Sequence, residues 1–208
     1  MELFAALGQG CVACASPVET QRAGLEGHLC HRCRQDLPPG LTRSARAVPF
    51  IDTLHSLGPY SGLLGSLVRS AKYEGKGYLL GELGAELALG AAAYDWPAIE
   101  GIVGVPTTGW RLLARGFDPV AHLVAPLPGV VHAPVLPALS RAHGPRQARR
   151  SHAERGANVL GVFRARRQVR GAWLLVDDVV TTGATVSACG LALREAGASA
   201  VHVLAVAG

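Results

Sequence analysis

The chain has 208 residues, 49% of them apolar and 17% charged, which excludes an intrinsically disordered protein and leaves room for one domain plus a small addition. Its cations are 18 arginines and two lysines, and the net charge of +5 favours an anionic partner such as phosphate or nucleic acid without selecting one. No basic stretch leads into an apolar one near the N-terminus, and the longest uncharged stretch, 119–140, holds five prolines. Neither an export signal nor a simple spanning helix is therefore expected, and the reading is a soluble, cytoplasmic protein without membrane insertion.

Four of the five cysteines come in pairs, Cys11-x2-Cys14 and Cys30-x2-Cys33, with 15 residues between the pairs. A two-residue gap lets one tight turn aim two thiolates at one ion, and two such knuckles supply a tetrahedral set suited to Zn2+. Two disulfides or a redox pair are the alternatives. No export signal supports the first, and the second would leave one knuckle unexplained. His28 and His31 flank the second knuckle and are read as exposed neighbours or replacement ligands. The segment before Pro38-Pro39-Gly40 has too few large apolar residues for a core of its own, so the metal would have to fold it. The chain divides accordingly into residues 1–40 and 41–208.

Beyond this boundary, helices and strands alternate. Ser61–Tyr73 carries Leu64, Leu67, Val68 and Ala71 at helical spacing, and Tyr78–Ala93 repeats the pattern with Leu80, Leu83, Leu87 and Ala91. Gly101–Val105 is a short buried strand ended by Pro106. Asp118-Pro119 is an N-cap followed by proline at the first helical position. Residues 141–170 hold nine arginines and one acid, Glu154, and are read as a loop: either a solvated linker or an electropositive lid. Trp173–Val176 is a second buried strand, Gly183–Ala196 a helix stopped by Gly197, and Ala200–Ala207 a last strand. Cys189 falls inside the helical pattern as a small buried residue. The alternation predicts an α/β fold with a parallel sheet flanked by helices and a small N-terminal metal module.

The chemistry concentrates in Trp173–Thr185, which reads WLLVDDVVTTGAT. Asp177 and Asp178 fall at the C-terminal end of a buried strand, where open α/β sheets bind ligands. Thr181, Thr182, Gly183, Ala184 and Thr185 follow as a loop of small and hydroxylic residues leading into a helix, a setting for an anion. Carboxylates repel phosphate but accept hydrogen bonds from vicinal hydroxyls. Acids and anion loop together therefore suit a sugar diol carrying a terminal phosphate.

These thirteen residues resemble the signature of the type I phosphoribosyltransferases, which bind 5-phosphoribosyl-1-pyrophosphate (PRPP). The wider chain resembles the ComF family, which joins a four-cysteine zinc module to a phosphoribosyltransferase-like domain. Residues 71–76, AKYEGK, are similar to its KY-x-G segment. Val105-Pro106 with Arg115-Gly116-Phe117 is similar to its VP…RGF segment, and Gln147, Arg155, Asn158 and Phe163 to its Q…R…N…F pattern. Two departures stand out: Asp118-Pro119 replaces the usual Asn-Gln after RGF, and Thr181 stands where purine-salvage relatives often carry an acid.

The resemblance implies that Asp177 and Asp178, as the catalytic pair, bind the ribose hydroxyls, and that Thr181–Thr185 cradle the 5′-phosphate. Val105, Pro106, Thr107 and Thr108 would face the pyrophosphate, with Mg2+ bridging it to the ribose. Residues 141–158 would form a hood. Two functions follow as expectations. One is phosphoribosyl transfer from PRPP to an unidentified acceptor. The other is a non-catalytic PRPP sensor or binding module in natural competence and DNA uptake, with single-stranded DNA or a competence helicase or DNA-processing protein as partner. Aromatic residues make up only 5% of the chain and none lies in 141–158, which argues against base stacking there. No glutaminase unit accompanies the motif, so an amidotransferase reaction within this chain is not expected.

Overall fold

The computed structural model describes residues 10–18, 24–109, 112–113, 116–141 and 162–208. Among them, five strands form one sheet in the order β1-β2-β7-β6-β3. β1 (Thr42–Arg43) runs antiparallel to β2 (Thr53–Gly58), and β7 (Ala200–Ala207), β6 (Ala172–Val179) and β3 (Ile99–Gly104) follow in parallel. Beyond β3 the extended segment around Val135 adds two ladder bonds, Ile102 N–H to Pro134 O and Leu136 N–H to Ile102 O, both 2.9 Å. A separate antiparallel pair, β4 (Leu139–Arg141) and β5 (Phe163–Ala165), couples Arg141 to Phe163.

Parallel strands covered on both faces need continuous apolar sequence, and β6 and β7 supply it. Leu174, Val176, Leu204 and Val206 face α2 (Gly62–Tyr73), α3 (Leu79–Ala92), α4 (Pro119–Val124) and the short α5 (Pro128–Val131). Trp173, Leu175, Val201 and Val203 face α6 (Ala184–Glu195) and the β4-β5 pair. Crossings are close where side chains are absent: a Cβ on Gly84 of α3 would stand 2.7 Å from the carbonyl oxygen of His122 in α4.

The expected helices and the last strand recur within a residue or two, and Cys189 is fully buried in α6. Three differences matter. β6 runs three residues past Val176 and carries both acids within the ladder, because β7 continues to pair with it through Val179↔Ala207. The β1-β2 hairpin has no period-two apolar signal, since β2 includes Thr53, His55 and Ser56. The arginine-rich stretch read as a loop contains strand, since Arg141 closes β4 and Phe163–Ala165 is β5; residues 142–161 lie outside the described residues.

The segment before Pro38 draws on the core of its neighbour. A 3-10 turn, Leu25–His28, precedes α1 (His31–Gln35). Leu25 and Leu29 are buried in the same apolar cluster as Leu79, Leu80 and Leu83 of α3. Each such leucine contributes about 1.5–3 kcal/mol of burial.

Two strands and one strand away from the acids, His55 of β2 and His202 of β7 are buried on neighbouring strands. Tyr94 and Trp96 cover them, with ring centroids 4.3 and 5.3 Å from His55. The Thr53 hydroxyl meets His202 Nδ1 at 2.9 Å, and both Nε2 atoms have no hydrogen-bond partner among the described residues. Burial, followed by Arg43 and then His202, holds the His55 pKa below its ordinary value. Burial also lowers His202, aided by Arg194 and Arg43 and opposed by Asp52. As pH falls through the ordinary histidine range the unfolded chain takes up protons first, so stability present above that range is lost below it. The slope is at most about 1.4 kcal/mol per pH unit for each histidine. Thermal unfolding followed from about pH 7.5 to about pH 6 should show a falling Tm, and His55→Phe should flatten the fall. An identical slope in the variant would remove His55 as its source.

Candidate functional site

The C-terminal ends of β3 and β6 bring most of the sequence-predicted site residues together. The strands are parallel neighbours in the register Gly104↔Val176, and the Val105 N–H donates to Val176 O at 2.9 Å. The Val105–Thr108 segment therefore leaves the sheet beside Asp177. Thr107 Oγ1 donates to Asp118 Oδ1 at 3.2 Å, and the same oxygen accepts the Val120 N–H at 3.1 Å. Asp118 is thus the N-cap of α4 and the anchor of this loop in one. Either bond needs only an acceptor oxygen, which an asparagine would also offer, so the departure at this position keeps the contact. Thr108 Oγ1 is buried without a hydrogen-bond partner among the described residues.

Successive side chains on a strand point to opposite faces, and the two acids obey this. Asp178 lies on the α2 side, where Lys72 Nζ stands 2.6 Å from its Oδ2, with only 13% and 14% of the two side chains exposed. Asp177 lies on the α6 side, half-buried, and its Oδ1 accepts the Asp178 N–H at 2.9 Å. Burial first, and then the charge of Asp178, raises the Asp177 pKa to about 7; that N–H, Lys72 and Arg141 act in the opposite direction. A carboxyl poised near neutrality can accept a hydroxyl proton's hydrogen bond when ionised and donate one when protonated.

After β6, Val180 is buried and its N–H is held by Ala207 O at 2.8 Å. The chain then turns through Thr181, Thr182 and Gly183 into α6. Gly183 is the N-cap and sits in the left-handed region at φ +78°, which favours glycine. The Ala184 N–H points at Thr182 Oγ1, 3.4 Å away, and the Ser187 N–H closes the first helical turn on Gly183 O at 2.8 Å. Arg141 of β4 sits over the Phe163 ring at 5.2 Å and within electrostatic reach of Asp177. Arg115, Gln147, Arg155 and Asn158 lie outside the described residues.

A cleft of about 360 Å³ opens beside the Val105–Pro106 segment. Its walls include Val120, Leu136 and Leu139, and Asp118 is the acid in its lining.

Sequence reading did not find Lys72 or Arg46 as site residues. Lys72 stands in the KY-x-G resemblance, but nothing local to it announces a partner over a hundred residues away. Arg46 reaches the Thr181–Gly183 loop from the β1-β2 connection, donating from Nη1 to Thr181 O and from Nη2 to Thr182 O.

The second constellation is the cysteine cluster. Cys11, Cys14, Cys30 and Cys33 are free thiols whose sulfurs all lie within 4.8 Å of one another, with Cys14 Sγ 3.6 Å from those of Cys30 and Cys33. Four thiolates around one tetrahedral ion stand about 3.8 Å apart, and small side-chain shifts would let the group hold a metal ion. The disulfide alternative is not realised. Hydrogen bonds from the Ser16 side chain and backbone lower the Cys14 pKa to about 6, whereas burial pushes the Cys33 thiol up. His31 is exposed, and His28 stacks on Tyr78 at 4.9 Å, so the histidines stay out of the cluster and His28 ties it to the α2-α3 connection.

The chain matches no protein-family model and no curated protein sequence. Solved structures do align with it, among them the following two. One is the glutamine phosphoribosylpyrophosphate (PRPP) amidotransferase from B. subtilis complexed with ADP and GMP, at 25% identity and a TM-score of 0.42, covering 61% of this chain and 25% of that one. The other is described as the allosteric regulatory enzyme of purine biosynthesis, at 25% identity and a TM-score of 0.40, with the same coverage. The chain therefore spans about a quarter of the length of either neighbour.

The geometry of the cluster predicts one bound metal equivalent per chain. Because Cys11, Cys30 and Cys33 share the core of Leu79 and Leu83, its removal should reach beyond the knuckles. Chelation, or the pair Cys14→Ser and Cys33→Ser, should lower the Tm by several degrees, about 2–4 kcal/mol of stability on the scale of a strong cross-link. A metal content of zero in protein purified without chelator, together with an unchanged Tm in the variant, would show the cluster to be idle.

Proposed function

We propose that this chain is a ComF-like, type I phosphoribosyltransferase-like protein that binds PRPP and transfers its phosphoribosyl group to an acceptor. The observation carrying the proposal is the pairing of Asp177 and Asp178 at the end of β6 with the left-handed turn at Gly183 that opens α6. One end of that arrangement accepts hydroxyl protons and the other offers N–H groups and threonine hydroxyls to an anion. In this reading, the ribose diol binds Asp177 and Asp178, and the 5′-phosphate binds Thr181, Thr182, Gly183, Ala184 and Thr185. Val105, Pro106, Thr107 and Thr108 face the pyrophosphate, toward which the unpartnered Thr108 hydroxyl supplies a donor.

Transfer breaks the C1′–O bond. Pyrophosphate leaves with the bonding pair and the acceptor nucleophile forms the new bond at C1′. Arg141 of β4 lies within electrostatic reach of Asp177, where a cation stabilises a departing polyanion. Lys72 holds Asp178 in place on the opposite face. Apart from the cysteines, no group of three metal-ligating side chains occurs among the described residues. Asp177 and Asp178 are the carboxylates that would stand nearest a Mg2+ ion brought in with PRPP, and that ion would supply charge neutralisation to the leaving group. For the cysteine cluster Zn2+ fits best, because four thiolates in a closed tetrahedral set suit a redox-inert ion. Residues 1–40 then form a zinc module beside a phosphoribosyltransferase-like unit, 41–208.

A second reading, a binding module for DNA uptake, is favoured by one observation. Arg164, Arg166, Arg167 and Arg170 are four exposed arginines within seven residues, outside the PRPP site. Phosphate contacts there would make any binding of single-stranded DNA steeply salt-dependent.

Calorimetric titration of PRPP with Mg2+ tests the proposal. The intact, metal-loaded chain should bind, and Asp177→Asn with Asp178→Asn should weaken binding by ~100-fold, the loss expected for two charge-assisted hydrogen bonds. Binding retained by the double variant would move the ligand elsewhere. Binding without pyrophosphate release across an acceptor screen would favour the sensor reading.

A further inference from the structure

The connection between β1 and β2 passes behind the Thr181–Gly183 turn and touches it at three points. The Arg46 guanidinium donates to the carbonyl oxygens of both Thr181 and Thr182. Its own backbone N–H donates to Ser44 Oγ at 3.2 Å, which fixes where the side chain starts. Val48 is buried against Gly183: a Cβ there would meet Val48 Cγ2 at 3.1 Å.

In a planar trans peptide, the carbonyl of one residue and the N–H of the next point in opposite directions. A group that holds Thr181 O and Thr182 O on one side therefore turns the N–H groups of Thr182 and Gly183 toward the other. The left-handed Gly183 continues this curvature into the first turn of α6, giving the concave row of N–H groups that binds anions. A guanidinium is suited to the task because its planar fork reaches two acceptors at a fixed separation, whereas an ammonium is a single point charge. The hydrogen bond within the turn itself, Ala184 N–H to Thr182 Oγ1, is long at 3.4 Å.

We propose that Arg46 is a positioning residue for the anion cradle: it clamps the carbonyls of Thr181 and Thr182 from behind and so presets the N–H groups of Thr182 and Gly183 for the phosphate of a phosphosugar. This rests on the phosphosugar reading of the Thr181–Thr185 loop. Arg46 acts through the two carbonyls and is assigned no contact with the ligand.

The test uses ribose 5-phosphate as the probe, with the full metal-loaded chain and the variants Arg46→Ala and Arg46→Lys. Affinity is measured by calorimetry, and the amide resonances and hydrogen exchange of Thr182 and Gly183 by NMR. The wild type should bind with a downfield shift of both amides. Arg46→Ala should bind at least ~10-fold more weakly and exchange these amides faster in the absence of ligand, with Arg46→Lys recovering only part of the loss. Added ethylguanidinium should restore binding to Arg46→Ala and leave the wild type unchanged, a rescue that general destabilisation would not show. Equal affinity in wild type and Arg46→Ala overturns the proposal. If the wild type itself fails to bind ribose 5-phosphate, the phosphosugar reading falls. Ligand-free exchange then still decides the clamp: faster exchange in Arg46→Ala supports it, and unchanged exchange overturns it.

Discussion

Strand β6 is hydrogen-bonded on both sides, apolar for its first five residues, and charged where it ends. That abrupt change is the constraint around which the rest of the molecule is arranged. A strand buried on both faces cannot carry a carboxylate in its interior without a partner. It can carry two at its rim if each face supplies compensation. α2 supplies Lys72 to Asp178 on one face. Among the described residues, the α6 face supplies Asp177 with no directly bonded cation, only the Asp178 N–H and the more distant field of Arg141. The asymmetry explains why one acid is pinned and the other is pushed toward neutrality. It also leaves Asp177 as the acid with spare hydrogen-bonding capacity toward anything entering over β6.

The cysteine cluster is coupled to this rim through a chain of packing contacts. Its turn buries Leu25 and Leu29 against α3, and His28 stacks on Tyr78 at the start of that helix. Between α2 and α3 the chain runs Lys72-Tyr73-Glu74-Gly75-Lys76-Gly77-Tyr78. One end of this stretch touches Asp178 and the other touches the cysteine turn. A Cβ on Gly77 would meet the Phe117 ring at 3.2 Å, so the same stretch also leans on the residue before the α4 cap. A metal ion held there would therefore be more than a staple for its own knuckles, because the cluster packs on a connection that follows the helix end carrying Lys72 to Asp178.

Much of this was legible in the sequence, for identifiable reasons. The cysteine spacing predicts the cluster because two tight turns leave the sulfurs little freedom. The Asp118-Pro119 pair predicts the start of α4 because capping is local chemistry, and the side chain does accept the Val120 N–H. The end of β6 was less legible: Asp177 and Asp178 look like the close of a strand, yet β7 keeps pairing with it through Val179. Pairing is a property of the neighbour, and a single strand's composition cannot report it. β2 was missed for a related reason, since its buried His55 and Ser56 are stabilised by packing under Tyr94 and by their place beside β7. Lys72 and Arg46 were invisible as site residues because their partners, Asp178 and the Thr181–Thr182 carbonyls, are over a hundred residues distant in sequence.

The cations around the rim divide the work by chemistry. The lysine meets a single carboxylate oxygen, which a compact ammonium does well at 2.6 Å. The arginine that meets two neighbouring carbonyls uses both arms of its fork. The arginine over Phe163 has its guanidinium carbon 5.2 Å from the ring centroid, within cation–π reach. Only two lysines occur in the chain, and one of them is at this point contact. An arginine-rich composition can arise without any functional demand, so the bulk count says little. The placement says more: a rim with two acids needs cations that hold geometry as well as charge, and the two arginines beside it are held by a fork and by a ring.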